Sequence, residues 1–320
     1  AKTVATPDFR AQTLITPDQH QLRAGVWSGP GRPGRAICVL LNGHTEFMEK
    51  YNEVAGELCA RGFEVVSLDW RGQGASERRV YGNRAGHVGH FEEYDIDLAA
   101  LMLQVVEPIQ RALPAPLPLV AMAHSMGGHN LLRYLHDHPR RFVCAVLSAP
   151  MIDIDTGKYS PTMVQLLAWI LNLYRPSKRP IFGIERRDPL ELRFEDNVVT
   201  SDRGRFERNQ NLLRQQPFLR ISGPTFGWLG AAFHSIRRMR RRRFADDVVT
   251  PLLVFGAGQD TVVRSEAIRA LSQRLPNARY VEIDGARHEI LMETDAIRAE
   301  FWREFDTFVD MYLRRADEAG

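Results

Sequence analysis

The chain has 320 residues and a mass of 36.5 kDa, which is enough for two domains or for one large domain with an insertion. Apolar residues make up 44% and charged residues 25%, a composition that is typical of globular proteins and excludes disordered, collagen-like and coiled-coil classes. No segment reaches the roughly 18 uninterrupted apolar residues of a membrane-spanning helix. The strongest candidate, 163–174, is shorter than that and contains Gln165 and Asn172.

The N-terminal segment and the cysteines bear on the cellular compartment. The first ten residues include three charged side chains and lack the apolar stretch of a secretory signal peptide. We therefore expect a cytoplasmic protein, unless a signal was removed ahead of residue 1. Cys38, Cys59 and Cys144 lie in apolar stretches and form no CxxC pair. We interpret them as reduced core residues rather than as disulfides or metal ligands.

The basic residues are unevenly distributed. Removing the six arginines between positions 237 and 243 would turn the net charge of +3 into −3, so the basicity is a local patch. One interpretation is an exposed helix end, where arginines also suit the helix dipole. The other is contact with an anionic membrane, and a nucleic-acid partner is not expected. The residues concerned are Arg237, Arg238, Arg240, Arg241, Arg242 and Arg243.

The order of predicted elements indicates an α/β fold. Segments 9–14 and 21–27, joined by a turn, predict two antiparallel strands. Short, continuously apolar runs then alternate with helical stretches, as in a parallel sheet covered by helices on both faces. The strands predicted in this part are 36–41, 63–69, 117–123, 142–148, 252–255 and 278–283. The predicted helices are 50–61, 91–113, 126–137, 265–275 and 296–313.

One interval, 151–247, interrupts this alternation. It contains no buried-strand pattern, is rich in proline, arginine and aromatic residues, and has amphipathic segments at 163–174 and 226–239. A bare loop of nearly a hundred residues is not expected in a compact domain. We therefore predict a mainly helical insertion at 151–247 within a core domain formed by 1–150 and 248–320.

The sequence LPLVAMAHSMGG at 117–128 indicates a nucleophile. An apolar strand leads into a turn of small residues and then into a helix, which is the context of a nucleophile elbow. Ser125 stands at the apex, where the N-terminal amides of the following helix face it. Ala123 replaces the first glycine of the GxSxG pattern. We predict that Ser125 is a nucleophile, because its surroundings fit despite this departure.

An acid and a base follow in the required order. Asp260 is the first carboxylate after the apolar strand near 252, and His288 lies in the loop after the next strand. Parallel strands bring these loops to one edge of the sheet, where His288 would accept the proton of Ser125 and Asp260 would orient the imidazole. Asp284 and Asp153 are alternative acids.

Acyl transfer also requires two donors to the developing oxyanion, worth roughly 3 kcal/mol each. We expect the backbone N–H of Met126, directly after the nucleophile, to be one of them. The other should come from the loop after the first parallel strand, where Gly43 allows a tight turn and the N–H of His44 is our choice. The neighbouring Thr45 is the alternative donor.

No cofactor or metal is expected. The first parallel strand is not followed by GxGxxG, no P-loop occurs, and His44 as a metal ligand has no partner at a useful spacing. His124 and His129 flank Ser125, and we interpret them as structural. Water is then the second substrate of a hydrolysis.

Five segments together resemble the serine α/β-hydrolases, and among them bacterial lysophospholipases and monoacylglycerol lipases. They are NGHTEFMEKY at 42–51, SLDWRGQGAS at 67–76, GHVGHFEEYDIDL at 86–98, HSMGG at 124–128 and GARHEIL at 285–291. The resemblance implies the α/β-hydrolase fold, with the insertion as a cap over the catalytic edge. Asn42 stands where this group usually has histidine. Glu46 and Tyr51 are expected to brace the oxyanion loop.

The predicted cap bears on the substrate. Its segment 163–174 carries more apolar surface than a helix in solvent would, so we expect these side chains to pack against the core or to form an acyl-chain wall that also touches the membrane. The substrate-binding candidates are Met163, Leu166, Leu167, Trp169 and Ile170. With the basic patch, they indicate esters of single-chain lipids, lysophospholipid or monoacylglycerol, cleaved through an acyl-enzyme.

Two other classes remain open. A general carboxylesterase or a peptidase that removes N-terminal residues would use the same site, and a non-catalytic binding module would use none of it. A peptidase needs acidic cap residues to hold the substrate ammonium. Those available are Glu185, Asp188, Glu191, Glu195 and Asp196.

Overall fold

The protein is described by a computed structural model over residues 7–29, 34–78, 80, 84–157, 159–173, 177–181 and 188–319. Within these residues, eight strands form the central sheet. They are β1 (Asp8–Ile15), β2 (Gln21–Ser28), β3 (Ala36–Leu41), β4 (Phe63–Leu68), β5 (Leu119–His124), β6 (Cys144–Ser148), β7 (Leu252–Ala257) and β8 (Ala278–Ile283).

The strand order in the sheet is β1-β2-β4-β3-β5-β6-β7-β8. β2 pairs antiparallel with β1 and β4, and all the other neighbours are parallel. Every residue of β3, β4, β5 and β6 is buried, because helices cover both faces of the sheet. Since β5, β7 and β8 run in the same direction, their carboxyl ends meet at one edge of the sheet. The predicted α/β-hydrolase architecture is confirmed.

Ten helices lie in the described residues. They are α1 (Asn52–Ala60), α2 (Glu92–Leu101), α3 (Glu107–Arg111), α4 (Met126–Asp137), α5 (Pro161–Leu171), α6 (Arg203–Gln215), α7 (Phe226–Met239), α8 (Arg242–Asp247), α9 (Ser265–Ser272) and α10 (Asp295–Ala319). The single helix predicted at 91–113 is divided by a π-helical turn, Met102–Val106. Pro108 follows this turn and has no N–H for the helical hydrogen-bond ladder, which accounts for the local widening.

The segment 151–247 contains α5 to α8 and joins β6 to β7. α5 packs against α7, and the Asn172 side chain at the end of α5 donates to the carbonyl of Phe226 at the start of α7 (2.9 Å). Its division from the core as a separate cap stays a prediction. Within the described residues, none of the helices combines the length and apolar composition needed to cross a lipid bilayer.

Candidate active site

The turn between β5 and α4 holds Ser125 in a strained conformation. Its φ is 51° and its ψ is −119°, and its N–H donates to the carbonyl of Ser148 (3.0 Å). The close crossing depends on Gly127, since an added Cβ there would lie 2.5 Å from the carbonyl oxygen of Asn42. Although Ser125 occupies the N-cap position of α4, its hydroxyl makes no capping hydrogen bond. The hydroxyl is therefore available to a base.

Three side chains predicted from distant segments are hydrogen bonded in series. The Oγ of Ser125 lies 2.9 Å from Nε2 of His288, and Nδ1 of His288 lies 2.7 Å from Oδ2 of Asp260. Ser125 and His288 are 8% and 4% exposed, and the Asp260 side chain is fully buried. This is the arrangement that proton transfer from a serine hydroxyl to an imidazole requires.

Asp260 is held in its charged form by several donors. Its Oδ1 accepts from the backbone N–H groups of Val262 (2.8 Å) and Val263 (3.0 Å). Burial alone would raise the pKa of Asp260, but the hydrogen bond and charge of His288, together with these amides, hold it below its ordinary value. The alternative acids lie elsewhere, since Asp153 pairs with an arginine and Asp284 is exposed.

The loop after β3 contains one of the two predicted oxyanion donors, His44, and the alternative to it, Thr45. Thr45 has a positive φ of 64°, and its N–H donates to the side chain of Gln73 (2.8 Å). The Thr45 amide is therefore occupied. Among the described residues, the N–H groups of His44 and Met126 have no acceptor. An added Cβ on Gly43 would lie 3.1 Å from Cβ of Ser125, so this loop passes directly beside Ser125.

The side chain of His44 has a packing role. Its ring lies against the Trp228 indole with centroids 4.3 Å apart, and an added Cβ on Gly86 would fall 2.6 Å from its Nε2. Trp228 in turn donates to the hydroxyl of Tyr94 (3.1 Å). The part of the chain that the structure describes contains no group of three or more His, Cys, Asp or Glu side chains placed to hold a metal ion.

An ionic network, which the sequence only partly indicates, connects the loop after β3 with the loop that contains His288. Glu46 accepts from the Gly43 N–H (2.5 Å) and from the Tyr51 hydroxyl (2.7 Å), as the expected bracing requires. Lys50 donates to Glu46 (2.7 Å) and also to Glu289 (2.5 Å), the residue next to the catalytic-site histidine. The i,i+4 spacing of Glu46 and Lys50 was a detectable signal, whereas Glu289 is 239 residues away from Lys50.

Two further imidazoles beside the site are buried and uncharged. Nδ1 of His124 lies 3.1 Å from the Ser148 carbonyl, and its ring centroid is 4.8 Å from that of His288. His129 bridges the carbonyl of Met151 (2.7 Å) and the hydroxyl of Ser235 on α7 (2.7 Å). Burial lowers the pKa of His124 to about 4 and that of His129 to about 3.

Ser125 opens into a cavity of about 650 Å³, which we call the apolar cavity. Its walls come from α5, α7 and the loop after β7, and most of the lining side chains are apolar. They include Ile154, Met163, Val164, Leu167, Phe226, Trp228, Leu229, Val262 and Val263. A volume of this size is in the range of small-molecule sites.

The structure divides the predicted substrate-binding residues between two faces of α5. Met163 and Leu167 line the apolar cavity. Leu166, Trp169 and Ile170 do not: they are 54%, 61% and 48% exposed. Positions 163 and 167 are one helical turn apart, whereas positions 166, 169 and 170 form the adjoining stripe of the helix, which we call the outer face. The outer face is therefore not covered by the described residues, and the assignment of its side chains to substrate binding stays a prediction.

The arginine patch is largely free of ion pairs. Arg238 contacts Asp137 (3.2 Å) and Arg240 contacts Asp153 (2.8 Å). The remaining four are exposed and have no carboxylate partner within the described ranges. They are Arg237, at the end of α7, and Arg241, Arg242 and Arg243, at the start of α8.

The described acidic residues available to a peptidase do not line the apolar cavity. Asp188, Glu191 and Asp196 line a second cavity of about 620 Å³, which we call the polar cavity and which α6 borders. Three of the predicted acids pair with arginines: Asp188 with Arg84 (2.6 Å), Glu195 with Arg203 (2.7 Å) and Asp196 with Arg193 (2.7 Å). Glu185 lies outside the described residues.

Comparisons with known proteins agree with this geometry. The family described as serine aminopeptidase, S33, matches residues 32–295. Lysophospholipase L2 of Escherichia coli (strain K12) is 32% identical over 294 residues, covering 89% of this chain and 82% of that protein. The probable lysophospholipase L2 of Haemophilus influenzae is 28% identical over 277 residues, covering 87% and 84%.

A solved structure gives the same fold. A soluble variant of monoglyceride lipase from Saccharomyces cerevisiae, in complex with a substrate analog, matches with a TM-score of 0.74 and 18% identity, covering 98% of this chain and 97% of that one. At this identity the likeness concerns the fold alone. The family match over most of the chain shows the relationship: the chain belongs to the serine aminopeptidase S33 family, within the α/β-hydrolases.

Proposed function

We propose that this protein hydrolyses the carboxylic ester of single-chain lipids, either a lysophospholipid or a monoacylglycerol, through an acyl-enzyme on Ser125. The observation that carries the proposal is the hydrogen-bonded series of Ser125, His288 and Asp260 at the wall of an apolar cavity. The coarser statement rests on the relatives. Proteins named lysophospholipase and monoglyceride lipase identify the chain as a carboxylic ester hydrolase.

In the first half-reaction, Oγ of Ser125 attacks the ester carbonyl carbon while Nε2 of His288 takes the hydroxyl proton. The new C–O bond turns the carbonyl oxygen into an oxyanion, which the N–H groups of His44 and Met126 stabilise by hydrogen bonds. When the intermediate collapses, the ester C–O bond breaks and His288 donates its proton to the departing alcohol. The fatty acyl group remains on Ser125.

In the second half-reaction, water replaces the alcohol. His288 accepts a proton from water, whose oxygen attacks the acyl carbon, and the intermediate releases Ser125 and a fatty acid. Asp260 stays ionised throughout. It keeps Nδ1 of His288 protonated, so that Nε2 is the basic nitrogen, and it stabilises the imidazolium formed in each half-reaction.

The cavity lining supports a long acyl chain. Met163 and Leu167 on α5 face Trp228 and Leu229 on α7 across the apolar cavity. Burial of an acyl chain there gains about 0.8 kcal/mol for each CH₂ group removed from water. A preference for longer acyl chains follows from this gain in binding free energy. A peptidase is less well supported, because three of the acids expected to hold a substrate ammonium are already paired with arginines.

The outer face of α5 and the arginine patch together support contact with an anionic membrane. Leu166, Trp169 and Ile170 expose apolar surface, and Arg242 and Arg243 are exposed without carboxylate partners in the described chain. An anionic bilayer satisfies both surfaces, because it accepts apolar side chains and attracts arginines by about 1 kcal/mol each. Peripheral attachment would bring the enzyme to membranes where single-chain lipids partition.

The proposal is tested by hydrolysis of a panel of lipid esters beside the variant Ser125→Ala. The panel contains lysophospholipids and monoacylglycerols with acyl chains of different length, short soluble esters and aminoacyl anilides. We expect kcat/KM to rise with chain length in the wild type and turnover to disappear in a folded Ser125→Ala variant. Preference for short esters or for aminoacyl anilides would overturn the substrate assignment, and retained turnover in the variant would overturn the nucleophile.

A further inference from the structure

The polar cavity adjoins the apolar cavity at the reacting atoms. Both are lined by Thr45, Val199 and Glu289. Thr45 follows His44, the proposed oxyanion donor, and Glu289 follows His288, so the shared wall lies directly beside the site where an ester would be cleaved. An acyl chain in the apolar cavity would leave the alcohol half of the ester next to this wall.

The polar cavity contains side-chain oxygens that lack a donor. Gln210, on α6, is 5% exposed and lines the cavity. Its Nε2 donates to the carbonyl of Pro189 (3.1 Å), but its Oε1 has no partner in the described chain. The neighbouring Asn209 also lines the cavity, and its Oδ1 is likewise buried without a donor. A buried acceptor left unpaired is costly, so both oxygens favour a ligand that supplies N–H or O–H groups.

The cations of the described lining are already engaged. Lys50 lies between Glu46 and Glu289, and Arg205 contacts Glu53 (2.6 Å). Arg205 also contacts Asp202 (3.0 Å) and Asp295 (2.7 Å). The exposed Glu191, by contrast, has no cationic partner in the described residues. The lining therefore offers acceptors for hydrogen bonds rather than free cations for an anionic end group.

We propose that the polar cavity is a headgroup subsite that recognises the hydrogen-bond donors at the end of a lysophospholipid headgroup. This inference rests on the proposed function and adds a preference to it. A primary ammonium or a terminal glycerol supplies N–H or O–H donors to Gln210 and Asn209. A quaternary trimethylammonium has none, and leaves both oxygens unpaired. The ethanolamine and glycerol headgroups are therefore preferred over choline.

The test measures kcat/KM for three lysophospholipids with the same acyl chain, carrying ethanolamine, glycerol or choline. For the wild type we expect ethanolamine and glycerol to exceed choline by about tenfold, the effect of one or two buried hydrogen bonds. Equal values, or a preference for choline, would overturn the subsite while leaving the proposed function intact. Absence of hydrolysis of all three would overturn the subsite if the monoacylglycerol with the same acyl chain is hydrolysed, and would overturn the proposed function itself if it is not.

Two variants locate the preference at Gln210. Gln210→Met removes the acceptor, so the ethanolamine-to-choline ratio should fall about tenfold, towards unity. Gln210→Glu keeps an acceptor and adds a negative charge, so ethanolamine should gain over glycerol. The control Gln215→Met is the same change of glutamine to methionine at an exposed position of α6, and it should keep the wild-type ratio. Unchanged ratios in both Gln210 variants would contradict the assignment even if one of them folds poorly.

Discussion

The two cavities beside Ser125 are similar in size, but the helices that border them are held in different ways. α6, at the polar cavity, is fixed by ions: Arg205 contacts Glu53 on α1 and Asp295 on α10, and Arg208 adds a contact to Glu53 (2.5 Å). α5, at the apolar cavity, contains no charged residue. It rests on α7 through apolar contacts and one amide hydrogen bond.

The different ways in which α5 and α6 are held suit them to different parts of a lipid substrate. Hydrogen bonds and ion pairs are directional, so α6 holds its polar groups at fixed positions. Apolar contacts are not directional, so α5 can accommodate acyl chains of different length without losing a specific partner. The polar wall is suited to selecting a headgroup, and the apolar wall to accepting a chain. Substitutions at the two cavities should therefore change headgroup preference and chain-length preference separately.

Asp260→Asn should slow the hydrolysis of every ester equally, whichever cavity its parts occupy. The amide would stabilise the wrong tautomer of His288, and kcat should fall by about 10⁴-fold. Steady-state hydrolysis of long-chain and short-chain esters measures this. A loss confined to one kind of substrate would contradict a role for Asp260 in the chemistry common to all of them.

Lys50→Met should disturb the wall that the two cavities share. It leaves the buried Glu46 and Glu289 without their cation, at a cost of about 3–5 kcal/mol in unfolding free energy. We expect kcat to fall more than KM rises, because Glu46 holds the oxyanion loop. Lys50→Arg preserves the charge and should restore much of kcat. An equal loss in both variants would contradict a positioning role.

Lowering the pH should reduce the unfolding free energy through the buried histidines near the apolar cavity. Burial holds the folded-state pKa values of His44, His124 and His129 below the ordinary value of about 6.5, so the unfolded chain binds protons first as the pH falls. Their stabilising effect is complete above pH 6.5, and between there and pH 5 each should lose about 2 kcal/mol. Urea unfolding at pH 7.5 and pH 5 measures the loss.

The matched control for this pH effect is His129→Asn. The variant removes one of the buried imidazoles, so the loss of unfolding free energy between pH 7.5 and pH 5 should be smaller than in the wild type by about 2 kcal/mol. An equal loss in the variant and the wild type would contradict the assignment of His129 as a neutral buried imidazole.

The double variant Arg242→Gln, Arg243→Gln should weaken binding to anionic vesicles by about 30-fold, since each arginine near such a surface contributes about 1 kcal/mol. Cosedimentation with vesicles that contain phosphatidylserine measures the effect. The control pair Arg214→Gln, Arg314→Gln removes the same charge outside the patch and should bind nearly as the wild type does. Equal losses in the two pairs would show that total charge, rather than the patch, drives binding.

Leu167→Gln should alter the apolar cavity alone. We expect about a tenfold loss of kcat/KM for long-chain monomeric esters and little change for short ones, because an acyl contact is replaced by a polar group. Leu166→Gln makes the same change on the outer face of α5 and should keep the chain-length profile. Identical profiles for the two variants would remove the distinction between the faces.

The fold and the hydrogen-bonded series could be predicted because their signals are local. The apolar run before Ser125 fixes a strand, the small residues fix the turn, and the parallel order of strands brings Asp260 and His288 to the same edge. The roles of these residues in catalysis stay part of the proposal.

Other features depend on contacts between distant positions. The sequence indicates that α5 is apolar, but not which of its side chains line the cavity, so Leu166, Trp169 and Ile170 could not be separated from Met163 and Leu167. The ion pair of Lys50 with Glu289 joins opposite ends of the chain. The polar cavity is bordered by α6. The charged residues of α6 have the spacing of an ordinary solvent-exposed helix, so the sequence does not indicate that they pair with residues of α1 and α10.

The central claim, that Ser125 is the nucleophile of a lipid ester hydrolase, is tested most directly by covalent labelling. The folded protein is treated with a long-chain alkyl fluorophosphonate, and the site of attachment is determined by mass spectrometry of its peptides. The account predicts one adduct per chain, on Ser125, formed in step with loss of ester hydrolysis and absent from Ser125→Ala. An adduct on another residue, or full hydrolytic activity after Ser125 is labelled, would contradict it.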